Sequence, residues 1–335
     1  MNKKYLIESR LATRSALRLG FGLSFRLSAG WASALVLVHV AVLVCFSFPA
    51  PSACAKTLAE GESRTSLPVD QKRFRDMPGL TDDKLRAESG SLSRYSLKAN
   101  LTYSGPTLGN LNEKDQPNPD GTVGSYQTAL GGTFGIRYRF SSASSMAVNS
   151  GIKAIHPLHG MERVDVSNPA LSFSFAGRFR GIQTLNSPSV IYRTVPEFTR
   201  IGQYGYLLDT HSMVYTLGSS GISLGLDVSL AYFLYSRDYR ASDKKAPNHS
   251  LDLNPNLKYR LSEKLSLVMA SNLSWWNPRA RPDRFTLLHR SMSQRLGVGY
   301  AWTRDIYIYP YLSFFPEHMS WKNTTLNLST VLSVF

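Results

Sequence analysis

From about residue 95 onward, hydrophobic and polar positions alternate with a period of two. Tyr95, Leu97, Ala99, Leu101 and Tyr103 alternate with Ser96, Lys98, Asn100 and Thr102. Phe134, Ile136, Tyr138 and Phe140 stand against Thr133, Gly135, Arg137 and Arg139, and Leu171, Phe173, Phe175 and Phe179 against Ser172, Ser174, Ala176 and Arg178. The clearest run sets Leu224, Leu226, Val228 and Leu230 opposite Ser223, Gly225, Asp227 and Ser229. Successive side chains of a strand face opposite ways, so each run predicts a strand with one apolar and one polar or small face. A soluble sandwich gives the same alternation, but its strands average nearer 5 or 6 residues. These runs are about 9 to 16 residues long, and a strand crossing the hydrocarbon at its tilt needs about 9–11.

Short and long connections also alternate, as the two ends of a membrane barrel require. Residues 303–305, 262–263, 218–220 and 141–144 read as short turns, and 277–286, 237–249, 157–169 and 105–125 as long loops. Agreement in parity then requires a strand at Ser189–Val195, following a turn at Asn186-Ser187-Pro188. With it the count is twelve, both ends lie on the periplasmic side, and no edge is left open to lipid, where an unpaired backbone group costs several kcal/mol. Trp275, Trp276, Tyr300, Trp302, Phe314, Phe315 and Trp321 collect near strand ends, as interfacial girdles do.

Composition fits this picture. The mean hydropathy of -0.17 is too polar for a bundle of spanning helices and compatible with strands greasy on one face. Residues 1–31 are basic, an apolar run from Ala32 to Phe48 follows, and Ala53-Cys54-Ala55 closes the segment. That order predicts a secretory signal peptide over 1–55. A permanent anchor is the alternative, but about 17 apolar residues lie at the lower edge of what spans a bilayer. Cleavage there removes Cys45 and Cys54, leaving no cysteine for a disulfide, metal site or nucleophile. Residues 56–94 read as a flexible periplasmic lead-in broken by Pro68, Pro78, Gly79 and Gly90, with a small helix or a plug for the barrel as the other possibility.

The tail STVLSVF resembles the terminal strand of bacterial outer-membrane proteins, which commonly end in Phe after alternating apolar residues. The resemblance covers residues 95–335. It implies an all-β, transmembrane, antiparallel up-and-down barrel in the outer membrane of a Gram-negative envelope, in contact with lipid and lipopolysaccharide. It also implies that Phe335 is read by the barrel-assembly machinery. The steady apolar face, Leu326, Leu328, Leu332 and Val334, runs one step out of phase with Phe335.

The formal charge is +15, and about +10 survives removal of the N-terminal segment, a balance that draws nucleic acid or anionic lipid and solutes. Nucleic-acid binding calls for clustered basic residues, whereas here they are spread along strands, so no nucleic-acid partner is expected. If the aliphatic faces meet lipid, Lys98, Arg137, Arg139, Lys153, Arg178, Arg180, Lys258, Arg260 and Arg295 point inward, and Asp227 and Asp252 are the clear inward acids. Most of the cations fall toward the periplasmic end, and such a ring concentrates anions. The lumen then resembles the small twelve-stranded channels for acidic oligosaccharides, which implies a passive channel for small anionic solutes. The plainer reading is that these cations hold turn carbonyls or phosphate. Tyr307, Tyr309 and Tyr311 fill part of the bore if they point inward, and a filled barrel with a structural, adhesive or surface-recognition role is the second reading. Long polar loops at 110–125 and 237–248 would carry its contacts.

Catalytic chemistry is weakly signalled, and no enzyme activity is expected. His289-Arg290-Ser291 has the His-x-Ser spacing of outer-membrane phospholipases, with both side chains on one inward face, but the next Asn is Asn323. Asp209 and His211 have acid–base spacing and read as an exposed strand-end histidine. His156, His159, Glu162 and Asp165 read as a polar loop rather than a metal site, and no cofactor motif is present.

Overall fold

The computed structural model describes residues 74–77, 79–117, 125–236, 246–279 and 286–334. The expected export segment 1–55, residues 56–73 and 78 of the lead-in and the assembly signal Phe335 lie outside them. Twelve antiparallel strands close into one barrel. In chain order they are β1 (Tyr95–Thr107), β4 (Ala129–Arg139), β5 (Ser144–Ile155), β6 (Arg163–Phe179), β7 (Ile182–Tyr192), β8 (Gln203–Thr216), β9 (Ile222–Tyr235), β10 (Pro247–Arg260), β11 (Leu265–Pro278), β12 (Leu288–Thr303), β13 (Ile306–Phe314) and β14 (Thr325–Val334). Strands β2 (Asp115–Pro117) and β3 (Ser125–Gln127) form a separate small hairpin in the first long connection. Each barrel strand pairs with its chain neighbours, and β1 closes the wall against β14 through Leu97↔Val334 to Ser104↔Asn327.

The alternation does what the sequence predicts. Leu97, Ile136, Val148, Phe173, Val190, Leu207, Leu224, Leu267, Leu296 and Leu328 are exposed on the outer wall, while Ser96, Arg137, Ser145, Ser266, Asn327 and Ser333 are buried within. A closed wall that exposes its aliphatic side chains and buries its polar ones is the inverse of a soluble barrel, and is what lipid requires. The out-of-phase apolar face of the last strand is the lipid face, with Leu326, Leu328 and Val334 all exposed.

Two connections differ from expectation. The turn before β7 is Arg180-Gly181, not Asn186-Ser187-Pro188, and Phe179↔Ile182 closes it. Arg180 and Gly181 both have positive φ, 48° and 87°, the conformation that matches a two-residue hairpin to the strand twist. Pro188 instead stands mid-strand, where β6 and β7 pair down to Ser172↔Ser189 and resume only at Phe175↔Asn186. Pro255 and Pro310 interrupt the β10–β11 and β12–β13 ladders in the same way, because proline has no N–H to give. The loop expected at 157–169 is also shorter, since β6 begins at Arg163.

Residues 74–94, expected as a flexible lead-in with a plug as the alternative, take the plug form. Helix α1 (Asp83–Ser89) lies inside the barrel. Leu80 and Leu85 pack on Leu185 and Val214, and Ala87 packs on Tyr307 and Val331. Strands β7 and β13 lie six places apart in the ring of twelve, so the plug bridges opposite walls. A single helical turn or two is too short to hold itself, and these wall contacts hold it instead. A second short helix, α2 (Pro196–Thr199), sits in the β7–β8 connection.

Candidate functional site: a plugged polar lumen

The plug is fixed at both ends of α1. At its start, Asp82 caps the helix by accepting from the Leu85 N–H at 3.0 Å. The other Asp82 oxygen meets Lys258 Nζ at 2.9 Å, with both side chains buried. Gln183 Oε1 accepts from the Thr81 and Asp82 N–H groups at 2.7 and 2.8 Å. Within the helix, Lys84 reaches Asp227 on β9 at 2.9 Å, and Lys98 on β1 donates to the Glu88 carbonyl.

At its end, three arginines collect the carbonyls that a helix terminus leaves without partners. Arg137 donates to the Ser89 and Ser91 carbonyls, and Arg139 donates to Ser89 at 2.7 Å and Gly90 at 3.0 Å. Arg304 adds a bond to the Gly90 carbonyl at 2.8 Å and grips Asp76 at 2.8 Å. Positive charge there also complements the helix dipole. Gly90, with φ 79°, must be glycine on two counts, since a Cβ would fall onto the Arg137 guanidinium.

These contacts set the charge states of the plug. Burial pushes the Asp76 and Asp82 carboxyls up, but Arg304 and Arg86 in one case, and Lys258 in the other, outweigh it and hold both below the usual aspartate range. Asp83 and Glu88 go the other way, raised chiefly by burial. For Lys84 burial acts downward, but Glu88 and Asp227 prevail and hold it firmly protonated.

The expected lumen cations therefore divide. Lys98, Arg137, Arg139 and Lys258 hold the plug, and the Arg178 side chain covers Gly79 within it. Turn carbonyls and plug carboxylates, rather than a free anion, are their partners. Arg180 is not a wall residue: its place in the β6–β7 turn sets it 5.2 Å from the Phe179 ring, against an outward aromatic. Arg260 is exposed at the foot of β10. Lys153 lines the outer vestibule, and Arg295 lines the chamber above the plug, 5.4 Å from the Tyr311 ring. The acids Asp227 and Asp252 both point inward as expected.

Above α1 the bore stays open. One chamber of about 490 Å³ has Lys84 and Glu88 as its floor and a wall of Asn149, Ser172, Ser174, Ser187, Ser189 and Thr210. Its hydroxyls and amides join one another, Asn149 to Ser172 at 3.1 Å and Ser189 to Ser172 at 2.9 Å. A second chamber of about 580 Å³ shares that floor and adds Asp252, Asn254, Asn256, Asn272 and Arg295. Both share wall residues with a vestibule of about 1250 Å³ that opens past Arg163, Asp165 and Arg193. Tyr307, Tyr309 and Tyr311 do point inward: Tyr307 packs on Ala87 of the plug, and all three line the second chamber.

The register passes from Ser274↔Ser291 to Trp275↔His289, so Arg290 is an extra residue that breaks the alternation a His-x-Ser pair needs to share a face. His289 therefore lies opposite Trp275, with ring centroids 5.9 Å apart, not inward. His156 bonds Glu162 at 3.0 Å and His159 bonds the Leu111 carbonyl at 3.1 Å, and no three metal-ligating side chains gather among the described residues. Asp209 and His211 are not at a strand end but midway along β8, on its outer face.

No protein-family model matches this chain, and no curated protein is significantly similar in sequence. Solved structures with a similar shape are outer-membrane barrels. An outer-membrane channel of Pseudomonas putida F1 matches 77% of this chain and 100% of its own at 11% identity, with a TM-score of 0.44. The NanC porin matches 71% and 98% at 8% identity, with a TM-score of 0.40. The KdgM porin matches 72% and 98% at 10% identity, with a TM-score of 0.37.

Proposed function

We propose that the protein is a passive channel of the bacterial outer membrane for small hydrophilic solutes, closed toward the periplasm by its own N-terminal plug. One observation carries the reading: three polar cavities that share wall residues lie between the Arg163–Arg193 mouth and the Lys84–Glu88 floor, inside a wall that exposes aliphatic side chains. Solutes entering the vestibule meet hydroxyls and amides that replace part of their hydration. Passage then requires the plug to shift or leave.

The anionic preference expected from the sequence rests on fewer residues than the cation count suggests. Arg137, Arg139, Lys98 and Lys258 are committed to the plug, which leaves Arg295 and Lys153 of the expected cations, with Arg163, Arg193 and Arg200 of the vestibule, to bias the open part of the bore. The test is conductance of the folded chain in a planar bilayer under a salt gradient. Small or rare steps in the full chain, enlarged when residues 74–90 are deleted, support a plugged channel. Silence in both forms overturns it and favours a closed barrel whose loops carry a structural or recognition role.

A further inference from the structure

Midway along β8, where the wall should be aliphatic, the outer face carries an ionisable pair. His211 Nε2 lies 2.9 Å from Asp209 Oδ2, and its Nδ1 lies 2.8 Å from Asn186 Oδ1 on β7. The inward residues of β8 are Tyr206, Leu208, Thr210 and Ser212, which line the lumen, so Asp209 and His211 stand on the opposite face. Their side chains are 47% and 42% exposed, enough to meet whatever surrounds the barrel. Tyr215 toward one end of β8 and Tyr204 toward the other mark the band's edges, and Leu207, Met213, Val228, Leu230 and Val190 surround the trio.

An ionisable group facing hydrocarbon is unfavourable and marks a functional position. The trio does not resemble a hydrolytic centre, because its cross-strand neighbours on the outer face are Val228, Leu230, Pro188 and Phe175, with no hydroxyl nucleophile. It does have the form of a contact. Each ring nitrogen of His211 has an oxygen partner, one from Asp209 and one from Asn186. That uses one oxygen of each partner. The second Asp209 oxygen and the Asn186 amide N–H groups remain to face outward, an acceptor and a donor side by side. Such a patch is complementary to itself.

We propose that the β7–β9 wall is the interface for a second copy of this chain, with the Asn186–His211–Asp209 trio at its centre. Across a two-fold axis the Asn186 amide of one copy donates to Asp209 of the other, and vice versa, as an isologous contact requires. Pro188, opposite Asp209 in the register, presents only a ring there and lets the walls approach. Aliphatic neighbours close the rim and keep lipid out. The proposal rests on the same membrane placement as the channel reading but not on an open bore.

The test is the mass of the folded full chain in lipid nanodiscs and mild detergent, by native mass spectrometry. Folding and membrane placement are read separately, from heat-modifiable gel migration and retention in bilayers. A dimer is expected for the parent chain, and Asp209→Leu with His211→Leu should lower the dimer fraction at least tenfold while the barrel stays folded. Leu230→Trp, apolar and on the rim, keeps the trio and should also separate the copies, which guards against a double variant that fails to fold. Leu328→Ala, on the far wall, should leave the dimer unchanged. A parent chain that is monomeric at all lipid ratios, or a folded double variant that stays dimeric, overturns the proposal. A parent chain that never enters bilayers overturns the membrane placement itself.

Discussion

Lys258, on the barrel wall, and Asp82, the cap of the plug helix, meet 2.9 Å apart with both side chains buried, joining two parts of the chain 176 residues apart. Breaking one side of a buried pair strands the other charge, which costs about 3–5 kcal/mol. Lys258→Met should therefore weaken plug docking by about 3 kcal/mol. The check is limited proteolysis of the folded barrel, with faster cleavage around residues 74–90 and more frequent channel opening.

Gly90→Ala should act at the other end of the helix. The added methyl falls onto the Arg137 guanidinium and the position has φ 79°, so the carbonyl clamp cannot close as it stands. The expected cost is about 1–3 kcal/mol from backbone strain, before the lost clamp bonds are counted. Hydrogen exchange of the Ser89–Ser91 amides should accelerate, while barrel heat-modifiability remains.

Acid should loosen the plug. The Asp76 and Asp82 carboxyls are held below the ordinary aspartate value of 3.8, so their contribution is complete above that value and is lost as pH falls through the depressed ones. Asp83 and Glu88, raised by burial, oppose this, since they favour the docked plug as they take up protons. Asp76→Asn should remove part of the low-pH loss and Glu88→Gln the opposing slope above 4.5, the ordinary glutamate value. Channel opening measured against pH in the three proteins reads both signs.

Ion selectivity should follow the outer half of the lumen. Arg295→Gln with Lys153→Gln should shift the reversal potential toward cations, because these two line the open chambers. Arg137→Ser with Arg139→Ser should change how often the channel opens rather than which ion it prefers. If the second pair alone moves the reversal potential, the inner cations face the permeating solute after all.

The barrel was legible because lipid imposes a period of two that few other environments demand at that length. The Leu224–Leu230 run and its Ser223–Ser229 counterpart needed no tertiary information. The Arg180-Gly181 turn was not legible, because Asn186-Ser187-Pro188 is the stronger local turn signal, and only pairing with β6 and β8 extends it into a strand. His289 changed faces because one extra residue, Arg290, in the β11–β12 ladder reverses every parity beyond it. Alternation gives the face on which a cation such as Arg137 or Lys258 stands, but not what it meets there. The signal for that was present in residues 81–90, where Asp82, a Lys84–Glu88 pair and Gly90 mark a short capped helix. Weak periodicity and flanking Pro68 and Pro78 masked it.

The plug comes early in the chain yet has partners throughout it. Ser91 donates to Ser333, 242 residues away, and Ala87 packs on Tyr307 and Val331. Lys98 on β1 and Arg137 and Arg139 on β4 reach the end of α1, but its apolar contacts and its Asp82 cap are completed only by residues from β7 to β14. The first described helix thus depends for its place on the last strand. Wherever the plug is absent, Arg137, Arg139 and Lys258 lose the carbonyl and carboxylate partners it gives them, and that end of the lumen carries their charge uncompensated.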